Sequence, residues 1–191
     1  MGCVTDCSPS LVALGDIGCF PETLPGGFYK FAFMKCDKDF DDVTGGVITD
    51  ASRWADMIEA TDIIVSNPLL ASKPEDNVTR LRIESCSPEV VTGIEQTYAF
   101  EDYNADTSAF THITWWKQIQ TKYRALKFMA ITCDGLVYGP FENGLWSINV
   151  SEIREQLKET PAKLAGSILV RPSSNNIVEP AYVPGLVGTV I

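Results

Sequence analysis

The run from Leu126 to Tyr138 constrains the fold more than any other stretch. Leu126 to Cys133 is strand-like and apolar, Asp134-Gly135 supplies a tight turn, and Leu136-Val137-Tyr138 reads as the return strand, so a β-hairpin is expected here. A second hairpin is expected where Val78 to Cys86 and Val90 to Phe100 alternate in polarity around the turn Ser87-Pro88-Glu89. Phe28 to Lys35 alternates Tyr29, Phe31 and Phe33 against Lys30, Ala32 and Met34, a further strand. Short strands are expected at Val47-Ile48, at Ile63-Ile64-Val65 before Asn67-Pro68, at Leu145 to Asn149 and at Ser167 to Val170.

Three helices are expected among them. Asp50 is placed to cap a helix reaching about Ala60, with Ala51, Trp54, Ala55 and Ile58 as its apolar stripe. The longest runs from about Thr107 to Ala125, its stripe passing through His112, Trp115, Trp116, Ile119, Tyr123 and Leu126, with cations at its C-terminal end. The third spans about Ser151 to Glu159 and stops before Pro161. Strands do not alternate with helices, which argues against a doubly wound parallel sheet. The expected class is α+β: a β-rich sandwich or barrel of about eight to nine mostly antiparallel strands, with three helices and extended N- and C-terminal arms.

The arms are the segments that fit no element. Residues 1–27 are apolar but broken by Pro9, Gly15, Gly18, Pro21, Pro25, Gly26 and Gly27, and residues 172–191 by Pro180, Pro184, Gly185 and Gly188. They flank one α+β domain over residues 28–171, and the chain's 191 residues at 45% hydrophobic suffice for its core. Ile177, Val178, Tyr182, Val183, Leu186 and Val187 are too apolar to be left in water, and an arm lying on a neighbouring copy would bury them.

Net charge is -10, the wrong sign for a groove that seeks nucleic acid. It is concentrated in residues 1–104, with 7 basic and 18 acidic side chains; residues 105–191 hold 8 and 7. An acidic half joined to a near-neutral one suits head-to-tail contact between copies. Much of the acid lies in one loop, where Asp37, Asp39, Asp41 and Asp42 crowd together. Asp37, Asp39 and Asp41 match the first positions of a calcium loop, but Asp42 stands where glycine is required and Ile48 where the closing Glu belongs. The loop therefore reads as an exposed acidic surface, a candidate lumen or interface face, with no metal and no cofactor assigned.

Six cysteines stand at 3, 7, 19, 36, 86 and 133, without a Cys-x-x-Cys pair. Met1 to Phe20 carries no Lys or Arg and holds Asp6 and Asp16, unlike a secretory leader, so the cysteines are expected as free thiols in a reducing cytoplasm. No apolar run approaches the ~18 residues of a membrane span. No glycine pattern for nucleotide phosphates and no nucleophile elbow occurs. His112 is the one histidine. It shares a helix stripe with two tryptophans and reads as structural, although a Cys133/His112 nucleophile–base pair is arithmetically possible.

The stretch Phe100-Glu101-Asp102-Tyr103-Asn104 to Trp115-Trp116, followed by Leu136-Val137-Tyr138-Gly139-Pro140, resembles bacteriophage virion structural proteins, most of all the tail-tube type. The resemblance is one of architecture over residues 28–170. It implies a non-enzymatic subunit that self-assembles into stacked rings or a tube, with sheets joined around a lumen through which DNA passes. Its partners would be copies of itself and other virion proteins, with DNA passing without specific binding, and no membrane. The location would be the virion, assembled in the bacterial host cytoplasm. An acidic lumen keeps DNA from sticking, which suits the charge bias. A head–tail ring or a capsid-decorating protein belongs to the same class. The alternative from a different class is a cytoplasmic cysteine hydrolase using Cys133 and His112.

Overall fold

Phe28–Lys35 (β1) is the strand around which the chain is organised, because both of its faces carry large apolar side chains. Phe31 and Phe33 point to one side, Ala32 and Met34 to the other, and all four are fully buried. A strand buried on both faces needs cover on both, and the remaining elements supply it. The computed structural model describes residues 28–72, 76–81, 90–102, 109–153, 163–172 and 179–191.

The other elements are α1 (Ala51–Glu59), β2 (Ile63–Val65), β3 (Leu70–Ala71), β4 (Asp76–Leu81), β5 (Val90–Asp102), α2 (Ala109–Lys122), β6 (Leu126–Thr132), β7 (Leu136–Phe141), β8 (Trp146–Ile153), β9 (Lys163–Val170) and β10 (Ala181–Tyr182). A 3-10 turn, Tyr123–Ala125, joins α2 to β6. The strand order is β10-β7-β6-β1-β3-β5-β9-β8, with β2 beside β1 and β4 beside β5, and every pairing is antiparallel. The class is α+β. Among the described residues β10 and β8 end the sheet and do not pair with each other, so it is not a closed barrel.

The first core cluster gathers Phe31 and Phe33 of β1, Tyr98 and Phe100 of β5, Phe128 of β6, Phe141 of β7, Trp146 of β8 and Ile168 of β9, with α2 packed against them through Trp115, Trp116 and Ile119. Its rings meet edge-on or stacked: Phe31 lies 5.4 Å from Phe100 and 5.2 Å from Phe128, and Phe100 stacks on Trp116 at 4.5 Å. Trp116 Nε1–H donates to the buried Asp102 carboxylate at 2.9 Å, and Trp146 Nε1–H to the Leu126 carbonyl at 3.0 Å, so the indoles are satisfied where they are buried. The second cluster lies on the opposite face of β1, β6 and β7. There Ala32, Met34, Met129, Ile131 and Val137 meet Phe40, Trp54 and Met57, together with Val183 and Leu186 from the C-terminal segment.

Three expectations are corrected. The helix over 151–159 is not formed at its start: Ser151, Glu152 and Ile153 continue β8, paired with Ala165, Leu164 and Lys163 of β9, and residues 154–162 lie outside the described residues. Pairing with a strand already in place overrides a weak helical spacing. The strand at Val47-Ile48 is absent, and that segment is a turn whose Ile48 carbonyl accepts from Trp54 Nε1–H at 2.8 Å. The C-terminal segment is not extended throughout: Ala181 and Tyr182 pair with Val137 and Leu136, and Leu186–Val190 coils into a π-helical turn against α1. The N-terminal arm, residues 1–27, lies outside the described residues, as do Ile177 and Val178.

The β6–β7 hairpin follows the sequence closely; β4 pairs antiparallel with β5 as expected, but the turn Ser87-Pro88-Glu89 lies outside the described residues. Gly135 takes φ +86° in the β6–β7 turn, where a Cβ would also press on the Val183 carbonyl at 2.9 Å, so Asp134-Gly135 is needed twice over.

Candidate functional site

The acidic loop leaves β1 at Cys36 and returns to α1 at Asp50. Its path is dictated from inside, by Phe40 buried against Trp54 with ring centres 4.9 Å apart. Cations then tie down its backbone. Lys127 has an ammonium that donates to the Lys38 carbonyl at 2.8 Å and to Asp39 Oδ2 at 3.0 Å. Arg53 donates from Nε to the Phe40 carbonyl at 3.2 Å and from its terminal nitrogen to the Asp39 carbonyl at 3.3 Å. Within the loop, Asp42 Oδ2 accepts from the Asp39 N–H at 2.8 Å.

The four aspartates are therefore not equivalent. Asp39 is an anchor whose carboxylate is engaged by Lys127 and by the Phe40 N–H, at 3.1 Å. Asp37, Asp41 and Asp42 are exposed, beside the exposed valines Val43 and Val47. Among the described residues no group of three or more His, Cys, Asp or Glu is placed to hold a metal ion. The sequence groups Lys127 with the cations at the C-terminal end of the long helix; it stands instead in β6, buried, where its ammonium needs acceptors.

A second ion cluster closes the same end. Asp62 sits between Lys35, at 2.8 Å, and Lys38, at 3.3 Å. Burial acts to raise the Asp62 carboxyl, but the hydrogen bonds and charges of Lys35 and Lys38 outweigh it and hold it below its ordinary value. A carboxyl depressed in the folded state stabilises above its unfolded pKa, about 3.9, and that contribution is lost as pH falls through the folded value. Asp62→Asn is expected to cost up to about 1 kcal/mol at pH 7, discounted for partial exposure. The two proteins should melt alike well below pH 4, and thermal melts at pH 7 and pH 2.5 check this. A gap that stays constant over that range would assign the effect to packing.

Cys133 is a free, half-buried thiol. Burial and the neighbouring Asp134 carboxylate push its pKa up, the reverse of what an attacking thiolate requires. His112 lies within α2, and its side chain is outside the described residues. Cys36, expected as a free thiol, is instead disulfide-bonded, to a partner outside the described residues.

Of the candidate arm residues, Val183 and Leu186 are buried in the chain's own second core cluster, and Val187 packs against it. Their apolarity is met within the chain, and Tyr182, 57% exposed, remains as a surface contact. The edges of the sheet are the larger opening. Among the described residues β8 is hydrogen-bonded to β9 alone and β4 to β5 alone. β5 meets β9 only from Gln96 onward, so the β4–β5 ribbon projects beyond it. β8 carries neither proline nor lysine to blunt its edge. No protein-family model matches the chain, and no curated protein and no solved structure matches it.

Proposed function

We propose that the chain is a non-enzymatic structural subunit of a bacteriophage particle, self-assembling into rings or a tube of the tail-tube or head–tail ring kind. The observation that carries this reading is the pair of open edges, β8 at one end of the sheet and the projecting β4–β5 ribbon elsewhere. Two different edges on one chain favour head-to-tail contacts, which close into rings or continue as tubes. Asp37, Asp41 and Asp42 supply an exposed acidic surface past which DNA moves without adhering. The raised pKa of Cys133 favours this reading over a cysteine hydrolase.

Asn149 and Ser151 are exposed positions of β8, so Asn149→Lys with Ser151→Lys puts two charges on the edge strand at little cost to the core. Wild type is expected to sediment as discrete high-order species. The double variant should melt within about 2 °C of wild type and require at least ten-fold more protein to assemble. Wild type that stays monomeric at high concentration overturns ring or tube assembly; if that monomer binds phage heads, the capsid-decorating role replaces it.

A further inference from the structure

Two tight turns of the chain place a glycine after a side chain that can cyclise onto it, and they differ in which residue closes the turn. In the β6–β7 turn the glycine does so itself: the Gly135 N–H donates to the Thr132 carbonyl at 3.1 Å, and the Asp134 carboxylate accepts from the Thr132 hydroxyl. In the turn between β7 and β8 the closing bond falls one residue later, from the Leu145 N–H to the Glu142 carbonyl at 3.0 Å. Gly144 stands third in that turn with φ +86°, and Asn143 before it takes no positive φ, the arrangement of a type II turn. The Gly144 N–H is thereby left without an acceptor among the described residues. Gly144 is exposed and Asn143 half-buried, and a Cβ built at Gly144 would meet nothing within 4 Å. Asn143-Gly144 is also the one Asn-Gly pair in the sequence. Of the other asparagines among the described residues, Asn67 precedes a proline, which has no N–H, and Asn77 and Asn149 precede β-branched valines inside paired strands.

We propose that Asn143 is a self-modifying site, at which the folded chain deamidates through its own Gly144 amide and lengthens its backbone at the start of β8. An uncommitted amide beside a carboxamide is a nucleophile held next to its electrophile. The Gly144 nitrogen loses its proton to hydroxide and attacks Asn143 Cγ. A C–N bond forms, the carboxamide C–N bond breaks, and the side-chain nitrogen leaves as ammonia, its extra proton returned through solvent. The product is a five-membered cyclic imide, which one water then opens. Addition at Cγ gives aspartate. Addition at the main-chain carbonyl gives isoaspartate, whose backbone runs through Cβ and Cγ and is one atom longer. Water is the only co-reactant, nothing is oxidised or reduced, and the net charge falls one unit below -10. The longer backbone lies where β8 is fastened: the Leu145 carbonyl accepts from the Arg171 N–H at 2.6 Å, and Trp146 begins β8 within the first core cluster. This does not depend on the assembly reading.

The two turns supply their own comparison, because trypsin releases Asp134 and Asn143 on one peptide, residues 128–154. The full chain is held folded at mildly alkaline pH, sampled over days, digested, and followed by chromatography with fragmentation mass spectrometry. The expected result is a gain of one mass unit localised to Asn143, shared by two products of equal mass, faster as pH rises, with Asp134 not isomerised. Asn143→Gln, whose ring would need a further atom, should show no gain at that position. A parallel sample unfolded in urea sets the scale. If the folded chain keeps the Asn143 amide over a period in which the unfolded chain loses it, the turn protects the residue and the proposal is overturned. Isomerisation of Asp134 as fast as loss of the Asn143 amide also overturns it, since the commitment of the glycine N–H would then not matter. The isoaspartyl form, separated by ion exchange and chromatography, should melt below Asn143→Asp, which carries the same charge on a backbone of ordinary length. Equal melting of the two overturns the effect on β8.

Discussion

Leu186→Ala is expected to destabilise the folded chain by about 3 kcal/mol, within the range for a fully buried leucine. Leu186 is completely excluded from solvent, and it closes the second core cluster together with Val183, over Trp54 and Met57 of α1 and the outer faces of β1, β6 and β7. For a chain of this length each kcal/mol moves the melting temperature by roughly 2–4 °C, so a fall of about 6–12 °C should be seen by circular dichroism. Removing residues 179–191 should cost more than the single substitution, because Val183 goes with it and Gly135 loses the N–H of Val183 that its carbonyl accepts at 3.0 Å. Tyr182→Ala, at an exposed position, is the control and should change stability by less than about 0.5 kcal/mol. If Leu186→Ala instead melts like wild type but no longer assembles, the C-terminal segment serves a neighbouring copy and its packing on α1 is incidental.

The C-terminal segment marks where the sequence ceases to be readable. Alternation in β1 and around Asp134-Gly135 is a local signal, set by pleat and turn chemistry, and β1, β6 and β7 appear within a few residues of where it puts them. The stripe of α2 was equally legible: Trp115, Trp116 and Ile119 are buried as their spacing requires. The stripe of α1 was legible only in part, since Ala55 is exposed and Met57 takes its place beneath the second cluster. Leu186–Val190 has neither period. Its burial comes from a groove built by α1 and by β1, β6 and β7, all distant in the chain, and nothing local encodes that. The same holds for Ser151 to Ile153, whose strand state is decided by β9. The acidic loop was visible as charge but not as structure, because Lys127 and Arg53, which hold it, lie on other elements.

Gly166→Ala is expected to be strongly disruptive for the addition of a single methyl group. Gly166 sits in β9 between β5 and β8, opposite Phe100 on one side and Val150 on the other. A Cβ built there would lie 2.4 Å from Phe100 Cζ, 2.6 Å from its Cε1 and 2.9 Å from the Asn149 carbonyl oxygen, closer than real Cβ atoms approach. A ring can sometimes swing aside, but Phe100 has nowhere to go. Trp116 stacks on it, Phe31 meets it edge-on, and Phe31 is itself held by Phe128. Relief must therefore come from the β5–β9 or β9–β8 pairing, which moves the backbone of a fully paired strand. Overpacking of this kind costs about 1–3 kcal/mol and sometimes more, and the value here should fall at or above the upper end. Chemical denaturation gives the number. The cause is separable from any intrinsic strand preference: Phe100→Leu removes the obstructing ring edge, so Gly166→Ala should cost at least 1 kcal/mol less in that background than in wild type. Additive costs in the double-mutant cycle would mean that the close approach of Gly166 to Phe100 is not what requires glycine at this position.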